Sequence, residues 1–102
     1  MVKIMMVAKF PPHKLNELIK NYMSTDKPAY PDFLKKVEHW AAQVTGDKHR
    51  TYAVYECPDD KVLEGMAALT RRFSFYAKVE GYTFTIEILM NAEDAIKIML
   101  GK

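Results

Sequence analysis

Between Val2 and Phe10 the chain alternates with a period of two, and it then stops on Pro11-Pro12. This run constrains the fold more than any other segment. Val2, Ile4, Met6, Ala8 and Phe10 fall on one side, with Lys3, Met5, Val7 and Lys9 on the other. Alternation of this kind predicts a strand, whose successive side chains point to opposite faces. Met5 and Val7 keep the second side partly apolar, as expected of a strand in the middle of a sheet. The prolines end it, since the first restrains Phe10 to extended geometry and neither carries a donor for the ladder. The run has the look of a leader peptide, but Lys9 interrupts it and no small-residue cleavage site follows. It is also too short to span a bilayer.

From His13 the period changes. Leu15, Leu18, Ile19 and Tyr22 recur at helical spacing, with Pro12 tolerable in the first turn. Residues 27–36 carry Pro28 and Pro31 and read as a connection, with Asp32 capping a short helical turn through Phe33, Leu34 and Val37. Residues 38–44 alternate again, with Trp40, Ala42 and Val44 against His39, Ala41 and Gln43, and Gly46-Asp47-Lys48 supplies a reversal. A third strand over 50–57 places Tyr52, Val54 and Glu56 against Thr51, Ala53, Tyr55 and Cys57. Pro58-Asp59-Asp60 then starts a helix whose buried stripe is Val62, Leu63, Met66, Leu69, Thr70 and Phe73, extending to Tyr76 and Ala77. Gly81 breaks it, residues 82–90 form the last strand, and Asn91 caps a terminal helix.

The order is βαββαβ with an appended C-terminal helix, which predicts an α+β, ferredoxin-like fold with a four-stranded antiparallel sheet. Right-handed crossovers put the first and third strands at the centre and both helices on one face. A chain of 102 residues fits one such domain, residues 1–102. Two helices cover only one side of the sheet. The other side would carry Met5, Val7 and Leu89 among Lys3, Lys9, Thr83, Thr85 and Glu87. A face so mixed is unusually apolar to leave in water, so the chain is expected to be a homodimer joined through it, the two sheets closing into a barrel. Which side of residues 50–57 lines that space stays open, because Tyr52/Val54 and Ala53/Tyr55 both suit it.

Charge and cysteine content narrow the partners. The 15 basic and 13 acidic residues are interleaved, and the densest basic groups are only Lys35-Lys36 and Arg71-Arg72. No stripe that would track a phosphate backbone results, so neither nucleic acid nor membrane is an expected partner. Cys57 is the single cysteine; it excludes an internal disulfide and suits a reducing cytoplasm.

The strand-opening Met5-Met6-Val7, Trp40 before a glycine hairpin, Tyr52-Ala53-Val54-Tyr55-Glu56 leading into Pro58-Asp59-Asp60, then Met66, Phe73 and the Glu87 strand form a pattern. It resembles the dimeric α/β-barrel superfamily of ferredoxin-like domains, and within it a small, functionally uncharacterised single-domain family. The resemblance implies a dimeric α/β barrel. Members include cofactor-free monooxygenases, lactone isomerases, haem-handling enzymes and stress-response proteins, so it does not select a reaction.

No phosphate loop, nucleophile elbow or His-x-x-x-His pair occurs, and His13, His39 and His49 are scattered over different elements. No cofactor or metal is therefore expected, haem or metal handling remaining an alternative by analogy. Cys57 sits before a helix entrance, where amides activate a thiol, or else is simply buried packing. Glu87 stands in an otherwise apolar and aromatic strand. If its face lines the inter-sheet space, the carboxylate is partly desolvated and suited to proton transfer. Otherwise it pairs with a lysine or arginine and fixes register. His39 and Tyr52 are its candidate catalytic companions, while Trp40, Arg50, Phe75 and Tyr76 are candidate ligand-binding residues. Trp40 is expected to be mostly buried, at the sheet edge or dimer boundary, because an indole so large needs packing. Function then divides between binding a small hydrophobic or aromatic ligand, with or without cofactor-free proton transfer, and acting as a non-enzymatic assembly module.

Overall fold

Val2–Phe10 is strand β1, and the sheet is built outward from it. The structure is a computed structural model and describes residues 1–42 and 47–101. β1 pairs antiparallel on one side with β3 (His49–Cys57) and on the other with β4 (Thr83–Leu89), while β2 (Lys35–Ala42) pairs antiparallel with β3. The order is β2-β3-β1-β4, as the ferredoxin-like topology requires. Helices α1 (Leu15–Tyr22) and α2 (Val62–Ser74) connect these strands, and α3 (Ala92–Met99) follows β4. Gln43 and Val44, expected to end the second strand, and Gly46 of the expected reversal lie outside the described residues.

The expected barrel is not formed. β2 and β4 are the two edges of an open sheet and do not pair with each other. Each chain supplies four of the roughly eight strands that a small barrel needs, and its sheet stays open at both edges. The fold is an open βαββαβ sheet with helices, and the barrel expectation is withdrawn.

Register settles which side of each strand faces the helices. Ile4 lies opposite Tyr55 and Ile88, Met6 opposite Ala53 and Ile86, and Ala8 opposite Thr51 and Phe84. Partners in register share a face, so Ala53, Tyr55 and Cys57 join β1's buried row and Tyr52 and Val54 join the open one. Ile4, Met6, Ala8, Ala53, Tyr55 and Cys57 are all buried. They meet Ala68, Leu69 and Phe73 of α2 to form the core. Gly65 is what lets α2 come so close: a β-carbon there would stand 2.9 Å from the Cys57 sulfur. Gly81 has φ +84° and backs onto Pro11, so the turn into β4 needs a residue without a β-carbon.

Two local expectations fail for identifiable reasons. β2 begins at Lys35, and Val37 is an extra residue between the pairs Lys36–Tyr55 and Glu38–Val54 rather than part of a helical turn. The bulge lets the edge strand keep its pairing while re-aiming its side chains. Leu63, expected in the stripe of α2, is 82% exposed. The buried face consists instead of Gly65, Ala68, Leu69, Arg72 and Phe73, so the stripe is rotated toward the small residues that permit contact with the sheet. Asn91 caps α3 as expected, its side chain accepting from the Glu93 amide at 2.8 Å.

Candidate functional site

The helix side of the sheet is not filled evenly. Beneath α1 lies a half-enclosed cavity of about 240 Å³. Leu15, Leu18, Ile19 and Tyr22 roof it, the helical spacing of the sequence having put them on one side of α1. Ala41, Ala42 and Thr51 form a floor of small side chains, and Phe10, His39, His49, Arg50 and Tyr76 close its sides. His49 packs edge-on against Phe10 at 5.4 Å between ring centres. Its Nδ1 is buried without a hydrogen-bond partner among the described residues, as is Nε of Arg50.

Besides Arg50 in its wall, three further cations border this cavity, each touching one of its lining residues. Lys36 Nζ is 3.4 Å from Nδ1 of His39. Lys27 Nζ lies 4.2 Å from the centre of the Tyr22 ring and donates to the Tyr22 carbonyl. Arg72, 8% exposed, stands beside Tyr76. It lies 4.4 Å over the Tyr30 ring and donates from Nη1 to the Pro28 carbonyl at 2.6 Å. Among the described residues none of the three pairs with a carboxylate. Burial first, and neighbouring positive charge second, act on the two lysines. Partial burial, then Arg72, holds Lys36 below the ordinary lysine value, and burial followed by Arg72 and Lys36 does the same to Lys27. Partial burial and Lys36 together push His39 down, favouring its neutral form.

A second polar feature lies deeper. The Tyr30 and Tyr55 hydroxyls are 2.7 Å apart and form one hydrogen bond. Burial above all, reinforced by that bond, pushes the Tyr55 phenol far above its ordinary value. Tyr55 continues through Phe73 to Tyr76, Tyr82 and Phe84 in a chain of ring contacts at 5.5–6.4 Å. This chain is packing, and it fixes the inner wall against which Tyr76 meets the cavity.

The residues expected to act together are divided by the sheet. His39, Arg50 and Tyr76 line the cavity. Glu87 and Tyr52 belong to the open face, where Met5 stands between Glu87 and Val54, and Val7 between Thr85 and Tyr52. Glu87 is exposed, so within one chain it has none of the desolvation its expected chemistry needs. Trp40 is opposite Tyr52 on this same face. It is 62% exposed, its indole N–H donating to Glu38 Oε1 at 3.3 Å, and so it is no part of the chain's own core. Phe75 packs edge-on to Tyr76 and under Lys78 rather than in the cavity wall. Cys57 is buried, with its sulfur donating to the Lys61 carbonyl, and burial followed by Glu64, Asp60 and Asp59 pushes its thiol up. That is the inert arrangement rather than the activated one.

Lys27, Lys36 and Arg72 were legible only as basic residues, two of them in the pairs Lys35-Lys36 and Arg71-Arg72. No spacing links residues so far apart in the chain, and the fold alone gathers them. Among the described residues no group of three or more His, Cys, Asp or Glu is placed to hold a metal ion. Likewise no helix is long and apolar enough to cross a membrane.

No family model and no curated protein matches the chain. Among solved structures it is similar to a dimeric ferredoxin-like protein from an uncultured marine organism. The two are 14% identical over 89% of this chain and 90% of the other, with a TM-score of 0.47. Neither ligand nor chemistry passes from that likeness to this chain; its ferredoxin-like architecture stands on its own strand order and register.

Proposed function

We propose that this protein binds a small, largely apolar molecule in the cavity between α1 and the β2–β3 half of the sheet. The cavity itself carries the reading: mostly apolar side chains enclose it, and a few polar groups (His39, His49, Arg50 and Thr51) converge on it. Binding sites for small molecules have this composition. At about 240 Å³ it is smaller than the ~300–1,000 Å³ of drug-sized sites, which suits one aromatic ring with a short substituent. Any proton transfer on such a ligand falls to His39, whose neutral form is favoured; Glu87 is on the far side of the sheet. Thermal unfolding against a panel of small aromatic acids, alcohols and lactones tests the proposal, since a ligand of the folded state raises Tm. At least one compound should stabilise the protein, and Leu18→Trp, which fills the space, should abolish the shift. A panel without effect, or a shift that survives in Leu18→Trp, overturns it.

The open face supports self-association as the assembly state. Met5, Val7, Tyr52 and Val54 form its middle, with Trp40 beside them, between rows carrying Lys3 and Glu56 at one end and Lys9 and Arg50 at the other. An apolar centre rimmed by both charges is the anatomy of a protein interface. Sedimentation velocity over a concentration series should show a dimer, with Trp40 emission moving to the blue as it forms. Val7→Lys should leave a folded monomer. A chain that stays monomeric at all concentrations removes this part of the proposal.

A further inference from the structure

Among the described residues Lys36, Lys27 and Arg72, around the cavity, have no carboxylate partner, although a buried or clustered charge is ordinarily paired. Arg72 is nine-tenths buried, and its Nε lacks a partner among the described residues. Lys36 and Lys27 come from different parts of the chain and stand near enough to Arg72 to feel its charge. Two of the lysine contacts are made through residues that line the cavity: Lys36 through His39, and Lys27 through Tyr22. The third cation reaches it beside Tyr76. An apolar chamber bordered by several unneutralised cations is complementary to one class of molecule, with an apolar body and an anionic head.

We propose that Lys36, Lys27 and Arg72 form the anion-binding end of the cavity beneath α1, so that its ligand is a small amphipathic carboxylate whose aromatic or aliphatic body lies against Leu15, Leu18 and Ile19. This rests on the binding function proposed above and names its substrate class. Each cation has a distinct part. Lys36 and Lys27, at the surface, supply mobile donors able to follow the head group. Arg72, held by the Pro28 carbonyl and the Tyr30 ring, supplies a fixed positive field behind them. The carboxylate offsets the repulsion among the three, so ligand charge and site charge stabilise each other.

The experiment compares two molecules of nearly equal shape, 3-phenylpropanoate and 3-phenylpropan-1-ol, by isothermal titration calorimetry at pH 7 on the full chain. The acid should bind about tenfold or more tightly than the alcohol, the margin expected when a charge-assisted bond replaces a neutral one. Lys36→Met and Lys27→Met should each narrow that preference, and the double variant should remove it. Lys36→Arg, which keeps the charge, should retain it. Equal affinity for acid and alcohol in the parent protein overturns this inference and leaves the apolar cavity standing. A preference that persists in the double variant overturns the assignment of the head group to these lysines. Binding of neither molecule defeats the cavity reading itself, and this inference with it. Both lysines are partly or largely exposed, so their variants should fold, and an unchanged far-ultraviolet spectrum and Tm will establish that.

Discussion

α2 lies so near the sheet that a β-carbon on Gly65 would stand 2.9 Å from the Cys57 sulfur, whereas α1 buries no residue and stands over a cavity of about 240 Å³. The two helices cover the same face and connect equivalent pairs of strands. Their difference lies in the side chains at the contact. α2 presents Gly65 and Ala68 to a row of large residues, Ile4 and Tyr55 among them, and the surfaces interlock. α1 presents Leu15, Leu18, Ile19 and Tyr22 to Ala41, Ala42 and Thr51, large side chains above small ones. Dense packing gives stability, and loose packing leaves room for something else. One half of the molecule therefore holds the fold together, and the other is free to bind.

The largest expected effect tests the stabilising half. Leu69 is fully buried, and Leu69→Ala should cost about 2–5 kcal/mol by chemical denaturation, the sum of lost transfer energy and a new cavity. A loss below about 1 kcal/mol would mean that α2 is not the tightly packed helix described. Gly65→Ala should cost about 1–3 kcal/mol, because the added methyl must displace the Cys57 sulfur or the helix. Truncation of Asn16, exposed on α1, to alanine sets no new atom against the sheet and should be nearly neutral.

Tyr55 gives the same half a pH dependence. Its phenol titrates far above the ordinary value when folded, while in the unfolded chain it ionises near 10. Above that pH the unfolded state has released a proton that the folded state keeps, so stability falls as pH rises, by about 1.4 kcal/mol per unit. Denaturation at pH 9 and pH 11 should show the loss, and Tyr55→Phe should reduce it, leaving the part due to Tyr82 and Tyr76, whose phenols burial also pushes up. On the looser side the effects are smaller. Leu18→Ala should cost about 1 kcal/mol or less, since Leu18 is only partly buried, and it should weaken ligand binding far more than it weakens the fold. A Leu18→Ala variant as unstable as Leu69→Ala would erase the distinction between the halves.

The smallest effect belongs to His39. Its folded value lies below the ordinary one, so between that lower value and about 6.5 the unfolded chain holds a proton that the folded chain lacks. Stability is present above about pH 6.5 and declines as pH falls through this window. The His39 ring is mainly solvent-exposed, so the decline should be slight. Proton NMR of the His39 ring should show a midpoint below the ordinary histidine value, and Lys36→Met should raise it toward that value. A midpoint indifferent to Lys36 would detach His39 from the cationic group.

The amino-acid sequence by itself determined the order of elements. A period of two in Val2–Phe10, a period of 3.6 after His13 and stops at Pro11-Pro12 and Gly81 are properties of neighbours along the chain, so they survive without knowledge of the fold. From that order the ferredoxin-like topology follows by handedness and strand adjacency. Faces and distances were decided only by tertiary structure. Both rows of residues 50–57 were apolar enough to be buried, and register against β1 chose Ala53 and Tyr55. Trp40 read as buried at the sheet edge or dimer boundary; the helices cover the other face of its strand, so within one chain it is 62% exposed. Barrel closure failed because it depends on strand number and on where the sheet edges lie, and no local pattern encodes those. The site was hidden for the same reason. Lys36 and His39 are neighbours on β2, but neither Lys27 nor Arg72 shares a spacing with them, and only the fold brings the four to one cavity. Local periodicity reports which side of an element is apolar; only packing decides how closely two such sides meet, and here the gap they leave is the candidate site.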